Sequence, residues 1–214
     1  MSLAILLPIL VVAAAALVAA VLFAVRERRR ARALADDLQT ARTEATLLER
    51  RDDHTGLWNS RFFVEALTRE IERSRAYDRP VALALASVDD VAADEVETSM
   101  RTLGAAIGGS VRALDVACRV GTTEFGVIMP ETDSRSASVA SERVLRAIAR
   151  ARTEGGSTPQ AAVGIASCPA HAESFEELVE RAGSALRSAR RAVRDEPIKP
   201  GTVPVAMAVW DDED

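Results

Sequence analysis

Few side chains in this sequence suit bond-making chemistry. The histidines are His54 and His171, and the cysteines are Cys118 and Cys168. Neither cysteine stands beside a histidine, so no thiol nucleophile is supported. Two cysteines are too few for a zinc cluster or a disulfide scaffold. Buried free thiols are expected, with a single disulfide as the alternative. His171, in Pro169-Ala170-His171-Ala172, reads as a loop histidine. What remains is charge. Asp89 closes an apolar run, Glu124 ends the turn Gly121-Thr122-Thr123-Glu124, and Arg112 and Asp115 stand three apart shortly before that turn. A guanidinium forks onto carboxylates and phosphates, and a carboxylate accepts N–H donors. Arg50–Asp53 and Arg75–Asp78 repeat the Arg-x-x-Asp spacing. Spacing alone therefore also allows a surface turn with an ion pair worth about 0–1 kcal/mol.

Residues 52–195 carry the elements that would position these groups. Phe63, Leu67 and Ile71 have helical spacing, as do Val96, Met100, Leu103 and Ile107, and then Ala137, Ala140, Val144, Ile148 and Ala151. Val81–Val88, after Pro80, reads as a buried strand. Val116–Val120 and Phe125–Met129 flank the Gly121–Glu124 turn as a hairpin. Ala161–Cys168 is another strand. Ser174 and Glu177 form a capping box that opens a last helix, reaching about Arg194. The order is α, β, α, β, β, α, β, α. Its middle is the split β-α-β, ferredoxin-like pattern: an α+β sheet with helices on one face.

The ends differ from this middle. Leu3–Val25 is free of charge and long enough to span a bilayer, so 1–25 is predicted to be a transmembrane anchor rather than a cleaved signal peptide. Arg26, Arg28, Arg29, Arg30 and Arg32 follow it and place the C-terminal side in the cytoplasm. Over 26–51, Ala31, Leu34, Leu38, Ala41, Ala45 and Leu48 form a narrow heptad seam. The expectation is a parallel homodimeric coiled coil; one amphipathic helix lying on its own domain is the alternative. Residues 196–214, with Pro197, Pro200 and Pro204 and an Asp211–Asp214 acidic end, read as a disordered tail, with Val203–Trp210 adding a strand or binding a partner as the alternative. The 214-residue chain is 48% hydrophobic and 28% charged, with a formal net charge of −5 and 4% aromatics. That balance supports a packed core and excludes a broad basic or base-stacking nucleic-acid surface. Every basic residue but Lys199 is arginine, which we read as codon bias.

Three segments in order resemble the GGDEF family of bacterial diguanylate cyclases. Asp52-Asp53-His54-Thr55-Gly56-Leu57-Trp58-Asn59-Ser60-Arg61 is similar to D-x-L-T-G-L-x-N-R. Arg119-Val120-Gly121-Thr122-Thr123-Glu124-Phe125 stands where the family has R-Y-G-G-D-E-F. Val163-Gly164-Ile165-Ala166 and Ala182-Gly183-Ser184-Ala185-Leu186 resemble S-I-G-I-A and A-D-x-A-L-Y. The resemblance covers 52–195 and implies a nucleotidyl-cyclase-like fold with a βαββαβ core. His54, at a family leucine, is expected to be a packing substitution. A cyclase of this family joins two GTP molecules into cyclic di-GMP, using Mg²⁺ held by carboxylates on the first strand and the signature hairpin.

In this chain the positions carrying those carboxylates are Ser87, in Ser87-Val88-Asp89, and Thr123. Hydroxyls supply no charge against a triphosphate. Thr122 replaces the second signature glycine, whose backbone must approach phosphate closely. Ser87 and Gly121 are 34 residues apart, shorter than the family spacing, and the guanine-reading stretch is missing. Arg190 and Arg194 keep the phosphate-contacting positions of the last helix, and Glu124 survives. No cyclase activity and no required cofactor are therefore expected. Mg²⁺ would matter only if GTP still binds, with Asp89 or Glu124 as substitute ligand.

The resemblance also gives Arg112-x-x-Asp115 a role, because the family's product-binding inhibitory site is an R-x-x-D at that place. Arg112 could fork onto guanine O6 and N7, and Asp115 could accept from guanine N1–H and N2–H₂. Arg143, in Ser141-Glu142-Arg143-Val144, matches the arginine of A-E-R-I that contacts the ligand, often across domains. The function implied is a cyclic di-GMP receptor or effector acting on an unidentified partner protein. The alternatives are a ligand-free dimerisation or docking module and a residual cyclase. Trp58 and Trp210 show no partner pattern.

Overall fold

The computed structural model describes Arg26, Arg28 and residues 50–89, 91, 93–151, 160–195 and 205–209. The chain divides into two units, Met1–Glu49 and Arg50–Asp214. Of the first, Arg26 and Arg28 are helical and exposed. The predicted membrane span and the 31–48 seam lie outside the described residues. Among the described residues no helix is long and apolar enough to cross a membrane.

The second unit runs α1 (Ser60–Tyr77), β1 (Val81–Asp89), α2 (Val96–Ser110), β2 (Val116–Arg119), β3 (Glu124–Pro130), α3 (Ser134–Arg150), β4 (Gln160–Cys168), α4 (Phe175–Asp195) and β5 (Val205–Val209). Local chemistry sets the boundaries. Asn59 caps α1 by accepting the Phe62 N–H at 3.0 Å. Asp78, left-handed at φ 52°, closes it with its N–H on the Ser74 carbonyl, and Pro80 then starts the extended chain. Asp133 caps α3 by accepting the Ser136 N–H at 2.7 Å. At α4 the Glu177 N–H donates to Ser174 at 3.2 Å, as a capping box requires. The Glu177 carboxylate, however, takes the Glu173 N–H at 2.9 Å rather than that of Ser174.

The five strands lie in the order β2-β3-β1-β4-β5. Central β1 is antiparallel to both neighbours, and its register sets Ser87 opposite Glu124 and Ala162. The end of β1 and the root of the hairpin therefore meet.

The expected helices on one face are half of the arrangement. Ala82, Ala84, Ala86 and Val88 of β1 pack with Met100, Leu103 and Ile107 of α2 and with Val144 and Ile148 of α3. Val81 and Leu83 pack on the opposite face with Phe63, Leu67 and Ile71 of α1 and Leu178 and Ala182 of α4. Helices cover both faces, because the flanking helices lie outside the ferredoxin-like middle and take the second side. The unbroken apolar run of β1 is the composition of a strand buried on both faces.

The tail also departs from expectation. Val205–Val209 forms β5, parallel to β4, with Val205 opposite Ala161 and Val209 opposite Ile165. After Pro204 these five residues are free of proline and charge, so each can pair with the edge of β4.

The α4–β4 contact is unusually close at Gly164. A Cβ there would collide with the backbone of α4, standing only 2.6 Å from Leu186 Cα. Gly164→Val is expected to lower stability by about 3 kcal/mol through overpacking, measured as a fall in the denaturant midpoint. An unchanged midpoint would show that α4 can move away.

Candidate functional site

Arg119, the last residue of β2, is 9% exposed. Every nitrogen of its guanidinium is used. Nε donates to the Gly121 carbonyl at 3.2 Å and Nη2 to the Thr122 carbonyl at 2.9 Å. Nη1 meets Asp52 at 3.4 Å and Glu97 at 3.2 Å. One side chain thus ties the hairpin to the opening turn and to the first turn of α2. Thr55 holds Asp52 in place, donating from its N–H at 2.9 Å and its hydroxyl at 2.7 Å. Burial by itself would raise the Asp52 carboxyl. The Thr55 hydrogen bonds and the Arg119 charge outweigh it and leave the carboxyl below its ordinary value. Burial likewise opposes the charge on Arg119, and Glu97 and Asp52 overcome it and raise its pKa.

His54 is not a packing residue. It is exposed, with Nδ1 3.1 Å from Glu97 Oε2. Its neighbour Leu57 turns into the core instead. Trp58 has partners that its sequence context did not indicate. Its N–H donates to the Ala117 carbonyl at 3.1 Å, and its carbonyl accepts the Arg119 N–H at 2.7 Å. The Arg51 guanidinium lies 3.7 Å from the centre of its ring, and Phe62 stacks on it at 4.1 Å.

The nucleotide positions are assembled without their charges. Ser87 Oγ is fully buried and has no hydrogen-bond partner among the described residues. The Thr123 carbonyl accepts the Val88 N–H at 3.0 Å, closing the hairpin onto β1. Asp89 is engaged by Arg190 in a bidentate pair, Nε–Oδ2 3.0 Å and Nη2–Oδ1 2.9 Å. The one carboxylate on β1 therefore pairs with the arginine that the resemblance set against phosphate. Glu124 is exposed, its Oε2 turned to 2.9 Å from where a Cβ on Gly121 would stand. Arg194 is exposed. These residues do not fit a magnesium–triphosphate site: one ligand position is a buried neutral hydroxyl, and the neighbouring carboxylate is already paired. Among the described residues no three His, Cys, Asp or Glu side chains converge as a metal cluster.

Arg112 and Asp115 form a turn directly after α2. Asp115 Oδ2 accepts the Arg112 N–H at 2.8 Å, and the Asp115 N–H donates to the Arg112 carbonyl at 3.0 Å. The Arg112 guanidinium is exposed and makes no hydrogen bond or ion pair among the described residues. Arg143 reaches from α3 and donates through Nε to the Ser110 carbonyl, at the C-terminus of α2. The three residues singled out from the sequence are thus gathered around the end of α2.

Cys118 and Cys168 are buried and free. Burial pushes the Cys118 thiol up to about 12, against the opposing charge of Arg51. His171 braces its loop, accepting the Ser167 N–H at 3.1 Å.

The sheet order, the two helical layers and the hairpin beside the end of β1 define a nucleotidyl-cyclase-like α+β domain. The family model described as "Diguanylate cyclase, GGDEF domain" matches residues 49–196, and the chain belongs to that family. It is 27% identical over 184 residues to the cyclic di-GMP phosphodiesterase NbdA of Pseudomonas aeruginosa, covering 79% of this chain and 24% of that protein. It is 29% identical over 164 residues to the probable diguanylate cyclase DgcC of Escherichia coli, covering 70% of this chain and 43% of that one. The chain therefore spans less than half the length of these relatives. Among solved structures, the coiled coil and GGDEF domain of DgcB from Caulobacter crescentus, in complex with c-di-GMP, superposes with a TM-score of 0.66. The identity is 21%, with coverage of 85% of this chain and 98% of that one. Diguanylate cyclase SiaD, in complex with its activator SiaC from Pseudomonas aeruginosa, gives 0.63 at 28% identity, covering 78% and 69%.

Removing the guanidinium in Arg119→Met leaves buried acceptors and carboxylate unpaired and is expected to cost about 3 kcal/mol in a denaturant titration. Asp52→Asn tests the same cluster by pH. A carboxyl held low in the fold stabilises it above the unfolded value, and that stabilisation drains as pH falls through the folded value. The variant should be less stable than the parent at neutral pH and indistinguishable from it in strong acid. A gap independent of pH would contradict this.

Proposed function

We propose that the protein is a membrane-anchored, catalytically inactive GGDEF-domain protein that acts as a cyclic di-GMP receptor or effector through Arg112, Asp115 and Arg143. The observation that carries this reading is the turn after α2. Its Arg112 guanidinium is exposed and uncommitted, while Arg143 is steered to the adjacent Ser110 carbonyl. Asp115 spends one carboxylate oxygen on the Arg112 N–H; the other is left for guanine donors. Guanidinium and carboxylate together match the Hoogsteen and Watson–Crick edges of guanine. The relatives named for making or degrading cyclic di-GMP and the DgcB domain in complex with it support this ligand.

Ser87, Thr123 and the Asp89–Arg190 pair argue against turnover of GTP. In this reading residues 1–25 anchor the chain in the bacterial inner membrane with the domain in the cytoplasm. Residues 31–48 pair two copies, and ligand binding fixes two domains relative to each other for a partner protein. The commitment of one Asp115 oxygen favours a second reading, a ligand-free dimerisation or docking module.

Calorimetric titration of the full chain with cyclic di-GMP separates the two. The first reading expects a Kd below about 100 μM, roughly −5.5 kcal/mol, weakened about tenfold or more by Arg112→Ala. No binding, or unchanged affinity in that variant, rejects it. GTP with Mg²⁺ or Mn²⁺ should give no product even at high protein concentration.

A further inference from the structure

A cleft of about 540 Å³ opens between α1, the end of β1, the β2–β3 hairpin and α4. Its apolar wall includes Phe63, Leu85, Val120, Val179 and Leu186. This size, with a largely apolar wall and few charged groups, is typical of small-molecule sites. The charges on its rim are polarised along α4. Glu180 stands toward one end, Arg187 and Arg190 toward the other. Seven helical residues put about 10 Å between Glu180 and Arg187.

Gly183 lies between them and presents no side chain. Nη1 of Arg187 is 3.5 Å from where a Cβ on Gly183 would stand, so the guanidinium folds back along the helix over the glycine. Among the described residues it makes no hydrogen bond or ion pair. Arg190 commits Nε and Nη2 to Asp89, which leaves Nη1 available. The family pattern A-D-x-A-L-Y has an acid and an aromatic where this chain has Gly183 and Arg187. The same two positions thus exchange an acid for open space and an aromatic for a free cation.

The geometry points to a second ligand site in this cleft, for a small amphipathic monoanion. An aromatic-sized apolar body lies over Leu85, Val120, Val179 and Leu186. Its single carboxylate or sulfonate sits on Arg187 and the free nitrogen of Arg190. Glu180 and Glu124, both on the rim, repel a second negative group and disfavour a polyphosphate. The site is independent of the Arg112 turn, which follows α2 on the other face of the sheet.

The test is calorimetry on the full chain with 3-phenylpropionate as probe and 3-phenylpropylamine as its cationic counterpart. Saturable binding of the acid with a Kd of about 1 mM or tighter is expected, weakened about tenfold by Arg187→Glu. Gly183→Phe, which fills the cleft from an uncrowded helix position, should abolish it while circular dichroism stays that of the parent. Arg112→Ala should leave it unchanged. Failure of the acid to bind saturably with a Kd of about 1 mM or tighter would overturn the proposal. Binding of the amine as tight as that of the acid, or indifference to both Arg187→Glu and Gly183→Phe, would do the same.

Discussion

The constraint on which the domain depends is a buried cation. Taking the Arg119 guanidinium out of water costs several kcal/mol unless its donors are paired. The chain meets that demand from three places at once: Asp52 before α1, Glu97 at the start of α2, and the carbonyls of Gly121 and Thr122 in the hairpin. The hairpin is therefore held through its own peptide carbonyls. The signature loop keeps its place although Thr122 and Thr123 have replaced the residues that would use it. The bonds that hold this loop run through its backbone carbonyls and not through the side chains of Thr122 and Thr123.

A parallel division runs through the end of β1. Ser87, which the resemblance sets at the first carboxylate position, has a buried hydroxyl without a hydrogen-bond partner among the described residues. Asp89, two residues on, is paired with Arg190 of α4. Each charge thus meets its counter-charge at the end of β1 through two of the three guanidinium nitrogens. The uncompensated cations lie elsewhere, at Arg112 on one side of the sheet and Arg187 on the other.

Most of the fold was legible because its signals are local. Helical periodicity falls on α1, α2 and α3, and Pro80 and the Ser174–Glu177 pair mark where β1 and α4 begin. The second helical layer was missed because the analogy was drawn from the middle of the chain, whereas α1 and α4 flank it. The unalternating run of β1 carried the signal. β5 ranked below a disordered tail because its approach is proline-rich, and only pairing with β4 turns Val205–Val209 into a strand. For the site, Arg112, Asp115 and Arg143 were found by motif. Arg119 was quoted only as part of the signature, since nothing local shows that Asp52 and Glu97 will converge on it. Arg51 over Trp58 is equally non-local, with a seven-residue separation and no periodicity. His54 misled because a hydrophobic consensus position does not imply a buried one when the next core contact, Leu57, already fills the space.

The pairing of Trp58 with β2 has a consequence for assembly. An exposed strand edge is a row of unpaired donors and acceptors that can recruit a foreign strand. At β2, a strand of four residues, the chain's own segment occupies that edge: Trp58 donates to Ala117 and accepts from Arg119. Too little free backbone is left there to template another strand. Two copies of this domain that meet on that side must do so through side chains, in a geometry that charge can tune and a ligand can bridge, and not by sewing their sheets into one.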